Sequence, residues 1–348
     1  MELENLVRKN ILELKAYTSA RDQYQDGVLL DANENSLGSV VMSEVNDLNR
    51  YPDPQQKVLR KSLSENLKID MSKLLFGVGS DQIIDLVIRV FCDPGVSNAI
   101  IPTPTYGVFN VACEINNVEV RNCKLDANFD INIDSIINLA DEKTKMVFLC
   151  SPNNPTGNLF DNKKIKSLAA AFNGIIFIDE AYIEFSDTNS FINDLYQFNN
   201  VIISRTFSKA WGLAGVRCGY CIADEFIIKL LFKVKDPYSI SRPTGDLIVK
   251  ALTNYGKMND FVSKILEEKK RLIAQLQLFD FVIHIFPSDA NFVLVKMKDA
   301  GSVFNYLNQK GIRVRMRKDD VRLIDCLRIT VGNSEENNLL IKTLKEFK

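Results

Sequence analysis

The sequence predicts an α/β fold: a large unit with a mostly parallel sheet flanked by helices, and a smaller α/β unit at the C-terminal end. Three observations carry the prediction. Short apolar runs alternate with helical-period stretches from about residue 55 onward, the pattern of strand–loop–helix units rather than of a sandwich. In the first two-thirds of the chain, clusters of polar residues follow the carboxyl ends of those runs, where open α/β sheets bind ligands. After about residue 224 the texture shifts to charged amphipathic helices and shorter apolar runs, which marks a second unit. The expected division is an N-terminal helix and arm over 1–30, a large unit over 31–240 and a small one over 241–348, consistent with the two domains that 348 residues suggest.

Composition excludes several classes. Hydrophobic residues at 46% and charged residues at 25% are the balance of an ordinary globular protein. A net charge of -1 gives no case for nucleic acid or a membrane surface. No apolar run approaches the roughly 20 residues of a spanning helix, and residues 1–17 lack a signal-peptide apolar segment. The expectation is a cytoplasmic protein. Seven scattered cysteines, an odd number without a framework, fit a reducing compartment. Cys218 and Cys221 have Cys-x-x-Cys spacing within a run that reads as a strand. There, residues three apart face opposite ways, so no redox or zinc pair is expected. The single histidine, His284, reads as a half-buried strand residue, which argues against His-dependent triads and most His-rich metal sites. No metal site is expected.

Taken in order, residues 1–30 read as an amphipathic helix and a polar arm leading into Asp31-Ala32-Asn33-Glu34-Asn35. Pro52 and Pro54 fix a turn after Arg50-Tyr51, and a helix follows over 55–67. A strand over 74–76 leads into Gly77-Val78-Gly79-Ser80-Asp81 and a helix over 82–91 stopped by Pro94-Gly95. Strands over 98–101, 146–150, 175–178 and 201–203 each end in a polar cluster, the last one running to Lys209. A helix over 225–235 precedes a long amphipathic stretch over 246–278. Strands over 281–286, 292–295, 312–316 and 326–331, a helix over 300–310 and a terminal helix complete the small unit.

The polar clusters carry the chemistry. Lys209 lies past the strand end Ser204-Arg205-Thr206-Phe207-Ser208, with Gly212, Gly215 and Arg217 after it. A lysine hemmed by hydroxyls, small residues and an arginine suits Schiff-base chemistry on an anionic cofactor; a surface lysine in a Ser/Thr turn is the plainer alternative. Gly77, Gly79 and Ser80 before a helix can cradle a phosphate on orphan N–H groups, or simply form a turn capped by Ser80 or Asp81. Pro102-Thr103-Pro104-Thr105-Tyr106 holds an aromatic ring rigidly, suited to stacking on a flat cofactor or to the core. Ser151-Pro152-Asn153-Asn154-Pro155-Thr156-Gly157 locks two amides in place, more than a plain turn requires. Asp179 ends an apolar run, where an unpaired carboxylate is expensive. Opposite a pyridine nitrogen it would keep that nitrogen protonated; the alternative is a helix cap. Tyr182 can hydrogen-bond on the same side. Arg313, Arg315 and Arg317 alternate along a strand, and Arg328 interrupts an apolar one; both patterns suit capture of phosphate or carboxylate, or a solvated face for the first three.

This ordered set resembles the fold-type-I pyridoxal-phosphate-dependent aminotransferases and, more narrowly, the histidinol-phosphate aminotransferase family. The resemblance runs from Asn33 to Arg328 and rests on the motifs around Asn33, Tyr51, Gly79, Tyr106, Asn154, Asp179, Lys209 to Tyr220, and Arg328. It implies a pyridoxal 5'-phosphate cofactor and roles for individual residues. Lys209 would form the Schiff base and shuttle the proton, with Asp179 on the pyridinium and Tyr182 and Asn154 on the phenolic oxygen. Tyr106 would stack on the ring. Gly79, Ser80, Asp81, Ser208 and Arg217 would hold the phosphate. Tyr51 would reach the cofactor phosphate of a second subunit, implying a homodimer with shared sites. Tyr17, Asn33, Arg315 and Arg328 would bind substrate. The implied activity converts histidinol phosphate and 2-oxoglutarate to imidazole-acetol phosphate and glutamate, in histidine biosynthesis. A broad aromatic-amino-acid aminotransferase and a phosphothreonine decarboxylase-like lyase share most of these residues. Departures are small: Gln82 stands where an acidic residue is common, and Trp211 and Val216 replace other apolar residues.

Overall fold

The computed structural model describes residues 2–41, 47–187, 190–317 and 320–347. The larger sheet is built from β1 (Leu74–Gly77), β2 (Asn98–Thr103), β3 (Glu119–Lys124), β4 (Thr144–Cys150), β5 (Ile175–Asp179), β6 (Val201–Thr206) and β7 (Gly219–Ile222). Their spatial order is β1-β7-β6-β5-β4-β2-β3. β3, β2, β4, β5 and β6 pair in parallel, and β7 pairs antiparallel with both β6 and β1. This is an α/β architecture with a mostly parallel sheet, as the sequence predicts.

The strands read as continuous apolar runs because both faces of the sheet are covered. Along β5, Ile176 and Ile178 join one buried cluster while Ile175 and Phe177 join the other; Leu74 and Leu75 of β1 divide in the same way. The period of two thus sends alternate side chains into two cores. Each such residue contributes about 1.5–3 kcal/mol relative to its exposed state. Cys218 and Cys221 fall into different clusters, and all seven cysteines are free and buried.

A second, four-stranded antiparallel sheet comprises β8 (Val282–Ile285), β9 (Phe292–Met297), β10 (Arg315–Arg317) and β11 (Cys326–Thr330), in the order β10-β11-β9-β8. Val293, Val295, Leu327 and Ile329 pack against Leu272, Leu276, Leu340 and Leu344 from the helices Tyr255–Leu276 and Ser334–Lys345. No helix among the described residues is long and apolar enough to cross a membrane.

Several elements differ from expectation. The single N-terminal helix is instead a 3-10 turn, Leu3–Leu6, and two one-turn helices, Lys9–Leu12 and Ala20–Gln23. Its apolar residues Leu3, Leu6, Val7 and Ile11 are buried all the same. The break at Arg8 lets that residue's N–H donate to the Val90 carbonyl (3.1 Å) and its guanidinium to the Arg89 carbonyl (2.8 Å). Docking has won over helical continuity, which is weak in so short a segment. The stretch over 246–278 is two helices, Arg242–Leu252 and Tyr255–Leu276. His284 is exposed rather than half-buried, on the edge strand β8 and edge-on to Phe286. β10 is shorter than the expected 312–316 strand and starts later, so Arg313 lies outside it and donates to Asn308 instead.

Candidate active site

The register of the larger sheet brings the polar clusters side by side. Cys150 pairs with Asp179, Asp179 with Ser204, Thr206 with Gly219, and Gly219 with Gly77. β1, β4, β5 and β6 end at this edge, and β7 begins there because it runs the other way. Strands about 4.8 Å apart therefore present their loops as one wall. Over this edge lies a cavity of about 580 Å³, lined by the ends of β4 to β6, the start of the helix Gly79–Phe91, and arginines of the smaller sheet.

Twelve of the sequence-predicted residues line it together: Gly79, Ser80, Asp81, Tyr106, Asn154, Asp179, Tyr182, Ser208, Lys209, Arg217, Arg315 and Arg328. Asp179 is 2% exposed, and burial pushes its carboxyl up from 3.8 to about 7. The Ala181 N–H donates to it at 3.2 Å. The Lys209 amine lies 5.5 Å from the centre of the Tyr182 ring. Burial, then the neighbouring Arg328 charge, lowers the Lys209 pKa, which favours the neutral amine that nucleophilic and base chemistry require. Burial likewise raises the Tyr182 and Tyr106 hydroxyls, keeping them protonated as donors.

At one end of the cavity the helix Gly79–Phe91 opens with Gly79 at φ +70°. Only glycine fits comfortably: a Cβ here would stand 2.8 Å from Arg217 Nη2. Gly219 is tighter still, since a Cβ on it would stand 2.7 Å from the Ser80 nitrogen. The two glycines bring the helix N-terminus, with its unpaired N–H groups, against Arg217 and Ser208. Asp81 accepts from the Tyr106 hydroxyl (3.1 Å) and from Arg217 (3.4 Å), and Ser208 Oγ lies 2.9 Å from Thr206 Oγ1. At the other end, Arg328 donates to Asn154 Oδ1 and sits 5.3 Å from the centre of the Phe292 ring. Arg315 is its direct cross-strand partner.

This donor set fits a planar, anionic, heteroaromatic group. A helix N-terminus and Arg217 suit a phosphate, a buried carboxyl with one described donor suits a cationic ring nitrogen, and the Lys209 amine suits a carbonyl carbon. Among the described residues no group of three or more His, Cys, Asp and Glu is placed to hold a metal ion.

Three expected residues lie elsewhere in the chain. Tyr17, 77% exposed, borders a separate cavity beside Lys235. Asn33 and Tyr51 border another, where Tyr51 stacks on Tyr238 with ring centres 4.4 Å apart. Sequence reasoning missed Val108, Val111 and Ala181 on the cavity wall. It also missed a buried charge cluster behind the wall. There, Glu180 accepts from Arg205 Nη2 at 2.9 Å, the Ser190 hydroxyl at 2.6 Å and the Phe191 N–H at 2.8 Å. Glu184, whose carboxyl burial raises to about 7, stands close by. Charged residues inside the motifs Asp179 to Tyr182 and Ser204 to Lys209 were the available signal.

Residues 17–344 match the profile of the family described as aminotransferase class I and II. The chain is 44% identical over 347 residues to a histidinol-phosphate aminotransferase of Flavobacterium psychrophilum, spanning 99% of this chain and 98% of the relative. Among solved structures it is similar to the histidinol-phosphate aminotransferase of Clostridium acetobutylicum (TM-score 0.80, 25% identity, 87% of this chain and 91% of that one). It shares its fold with that of Sinorhizobium meliloti, solved in complex with pyridoxal-5'-phosphate (TM-score 0.79, 24% identity, 91% of this chain and 89% of that one). The chain belongs to the class I and II aminotransferases and, within them, to the histidinol-phosphate aminotransferase family.

Proposed function

We propose that the chain is a pyridoxal-phosphate-dependent aminotransferase that converts histidinol phosphate and 2-oxoglutarate to imidazole-acetol phosphate and glutamate, a step of histidine biosynthesis. One observation carries the reading: a single cavity is lined by the Lys209 amine, the buried Asp179 carboxyl and the cross-strand guanidiniums of Arg315 and Arg328. When bound, pyridoxal phosphate supplies an electrophilic carbonyl carbon and a protonated ring that withdraws electrons from the substrate's α-carbon.

The chain's own residues do the rest. The N–H groups at Gly79 to Asp81, with Ser208 and Arg217, bind the cofactor phosphate. Asp179 ionises against the ring nitrogen. Tyr182 and Asn154 donate to the phenolic oxygen, and Tyr106 covers the ring. Lys209 Nζ would hold the cofactor at its carbonyl carbon and, when free, would take up and return the proton of the substrate's α-carbon. Arg315 and Arg328 hold the phosphate of one substrate and the distal carboxylate of the other, both oxyanions suited to guanidinium forks.

The working form is a homodimer in which Tyr51, Tyr17 and Asn33 complete the partner's site. Its support is an arm with Val28, Leu30, Leu37 and Val40 between 79% and 100% exposed, more apolar surface than a monomer commonly leaves in one segment. Cytoplasmic residence is supported by seven free thiols, and residues 31–240 and 241–348 form the two domains.

The test is a donor panel of histidinol phosphate, phenylalanine and threonine phosphate with 2-oxoglutarate, following glutamate and carbon dioxide. Glutamate formation with strong preference for histidinol phosphate is expected. Equal use of phenylalanine would make the enzyme a broad aromatic aminotransferase. Carbon dioxide release from threonine phosphate alone would make it a lyase. Sedimentation at micromolar concentration should give twice the chain mass.

A further inference from the structure

Lys269 is a buried lysine that the proposed chemistry does not use. It lies on the helix Tyr255–Leu276, is 7% exposed, and burial lowers its pKa. Its amine donates to the carbonyls of Ser288 (2.7 Å) and Ala290 (2.9 Å), so it braces the β8–β9 connector on both sides of Asp289. Burying an ammonium is costly unless its donors are met, and these donors are committed to one turn. That turn presents Asp289 to the loop carrying Asn154. The Asp289 N–H donates to the Gly157 carbonyl at 2.7 Å, and its carboxylate accepts from the Leu159 N–H at 2.8 Å.

The loop is closed on itself: the Asn153 N–H donates to the Asn158 carbonyl (2.8 Å), and the Gly157 N–H to the Asn153 carbonyl (2.7 Å). A grip on Gly157 and Leu159 is therefore a grip on Asn154. The path from Asp289 to Arg328 is equally short. Asp289 lies just before β9, and Leu294 of β9 is a direct cross-strand partner of Arg328. Arg328 donates to Asn154 Oδ1, which commits that oxygen as an acceptor and leaves the NH2 as the amide's donor side. The same connector runs on into Phe292, edge-on to Tyr182 with ring centres 5.2 Å apart. One segment thus touches the supports of both residues assigned to the cofactor's phenolic oxygen.

We infer that Asp289 is a positioning residue: its two bonds fix the offset between the smaller sheet and the Asn154 loop, so that Arg328 meets Asn154 and the amide's NH2 stays aimed at the cofactor. The inference rests on the proposed function and deepens it. The backbone bond to Gly157 alone would let the connector pivot about one point. The carboxylate's bond to Leu159 adds a second point and removes the pivot, and bonds of a carboxylate to a backbone N–H are about twice as strong as neutral ones.

The test reads the holoenzyme's visible absorbance from bound pyridoxal phosphate against pH. A donor to the phenolic oxygen stabilises its anionic form and holds the titration midpoint down. Asp289→Ala should therefore raise the midpoint by about 0.5–1 unit, the size expected for one hydrogen bond lost. Asp289→Glu, which keeps the charge and moves the acceptor by one methylene, should raise it as well. Asp289→Asn, which keeps an acceptor oxygen in place, should shift it less than half as far as Asp289→Ala. Asp299 is the control: its exposed carboxylate accepts the Ser302 N–H at 2.9 Å and caps the helix Ala300–Gln309, away from the loop. Asp299→Ala should lower stability and leave the midpoint where it is. Asn154→Ala should shift it at least as far as Asp289→Ala. An unmoved midpoint in Asp289→Ala and Asp289→Glu, equal shifts in Asp289→Asn and Asp289→Ala, or an equal shift in Asp299→Ala overturns the inference alone. An unmoved midpoint in Asn154→Ala overturns the proposed role of Asn154 and the inference with it, a result readable without any Asp289 variant.

Discussion

Replacing Asp179 with asparagine separates the carboxyl's catalytic charge from its shape. In the folded chain, burial raises this carboxyl from 3.8 to about 7. The gap between those values corresponds to about 4 kcal/mol of linkage between proton binding and folding. The sign follows from which state binds the proton more tightly. With its folded pKa above its unfolded value, the carboxyl stabilises the fold fully below about pH 4. That contribution disappears as pH rises through about 7, where ionisation leaves a charge in the interior. Apoprotein denatured with urea at pH 5.5 and pH 8.5 should therefore lose more stability at the higher pH as wild type than as Asp179→Asn. Glu184, also raised to about 7 by burial, titrates in both proteins and cancels in the comparison. Adding pyridoxal phosphate at pH 8.5 should restore wild type and help the variant far less, because an amide offers no charge to a ring nitrogen. Identical pH slopes in the two apoproteins would refute the argument that Asp179 is held as a strained, proton-seeking carboxyl.

Lys209→Ala should lower turnover by about 10⁴-fold or more, since in the proposed function it removes both the nucleophile and the base, and borohydride treatment with pyridoxal phosphate should leave no adduct on the protein. An adduct that persists would sink the lysine assignment. Arg328→Ala should raise KM about 10- to 100-fold for both substrates, because in the proposed function Arg328 meets the substrate anion, and it also holds Asn154; a change in one half-reaction only would mean that the two anions use different anchors. Arg205→Met should destabilise the protein by about 3–5 kcal/mol, the loss typical when one partner of a buried ion pair is left alone, and Glu180→Met in the same chain should recover most of it. Denaturation midpoints equal to wild type in the single variant would show that the pair does not brace the strand ends.

The larger sheet was legible in the sequence because its strands are covered on both faces and so spell themselves as apolar runs; β4 and β5 stood out for that reason. β3 was not, since on the open edge of the sheet only Cys123 is buried and the run carries Glu119, Arg121 and Lys124. The cofactor end of the cavity could be read for a related reason: each polar residue there follows a recognisable strand, and the register does the assembling. Glu180 and Arg205 are visible as charges inside two of the motifs, but nothing local in the sequence shows that they turn inward and pair. Arg313 shows the converse. Its alternation with Arg315 was real, but the chain straightens into β10 only after it, and the Asn308 carbonyl and amide claim its guanidinium.

Asp179 and Glu180 show how one strand end can both hold a site together and leave it open. They are adjacent, so as β5 ends they face opposite ways. Glu180 turns away from the cavity and is fully met: Arg205 donates through Nη2 at 2.9 Å and Nε at 3.0 Å, the Ser190 hydroxyl at 2.6 Å and the Phe191 N–H at 2.8 Å. Arg205 is part of β6, four residues before Lys209, so this pair couples the end of the strand bearing the carboxyl to the strand that leads to the amine. Asp179 turns into the cavity, where the Ala181 N–H at 3.2 Å is its described donor and its pKa rises to about 7. A cation from β6 meets the chain one residue later, at Glu180. A carboxyl left short of donors beside one given four reserves its charge for a cationic group that arrives from outside, and the rigid ion pair behind it keeps that place from collapsing.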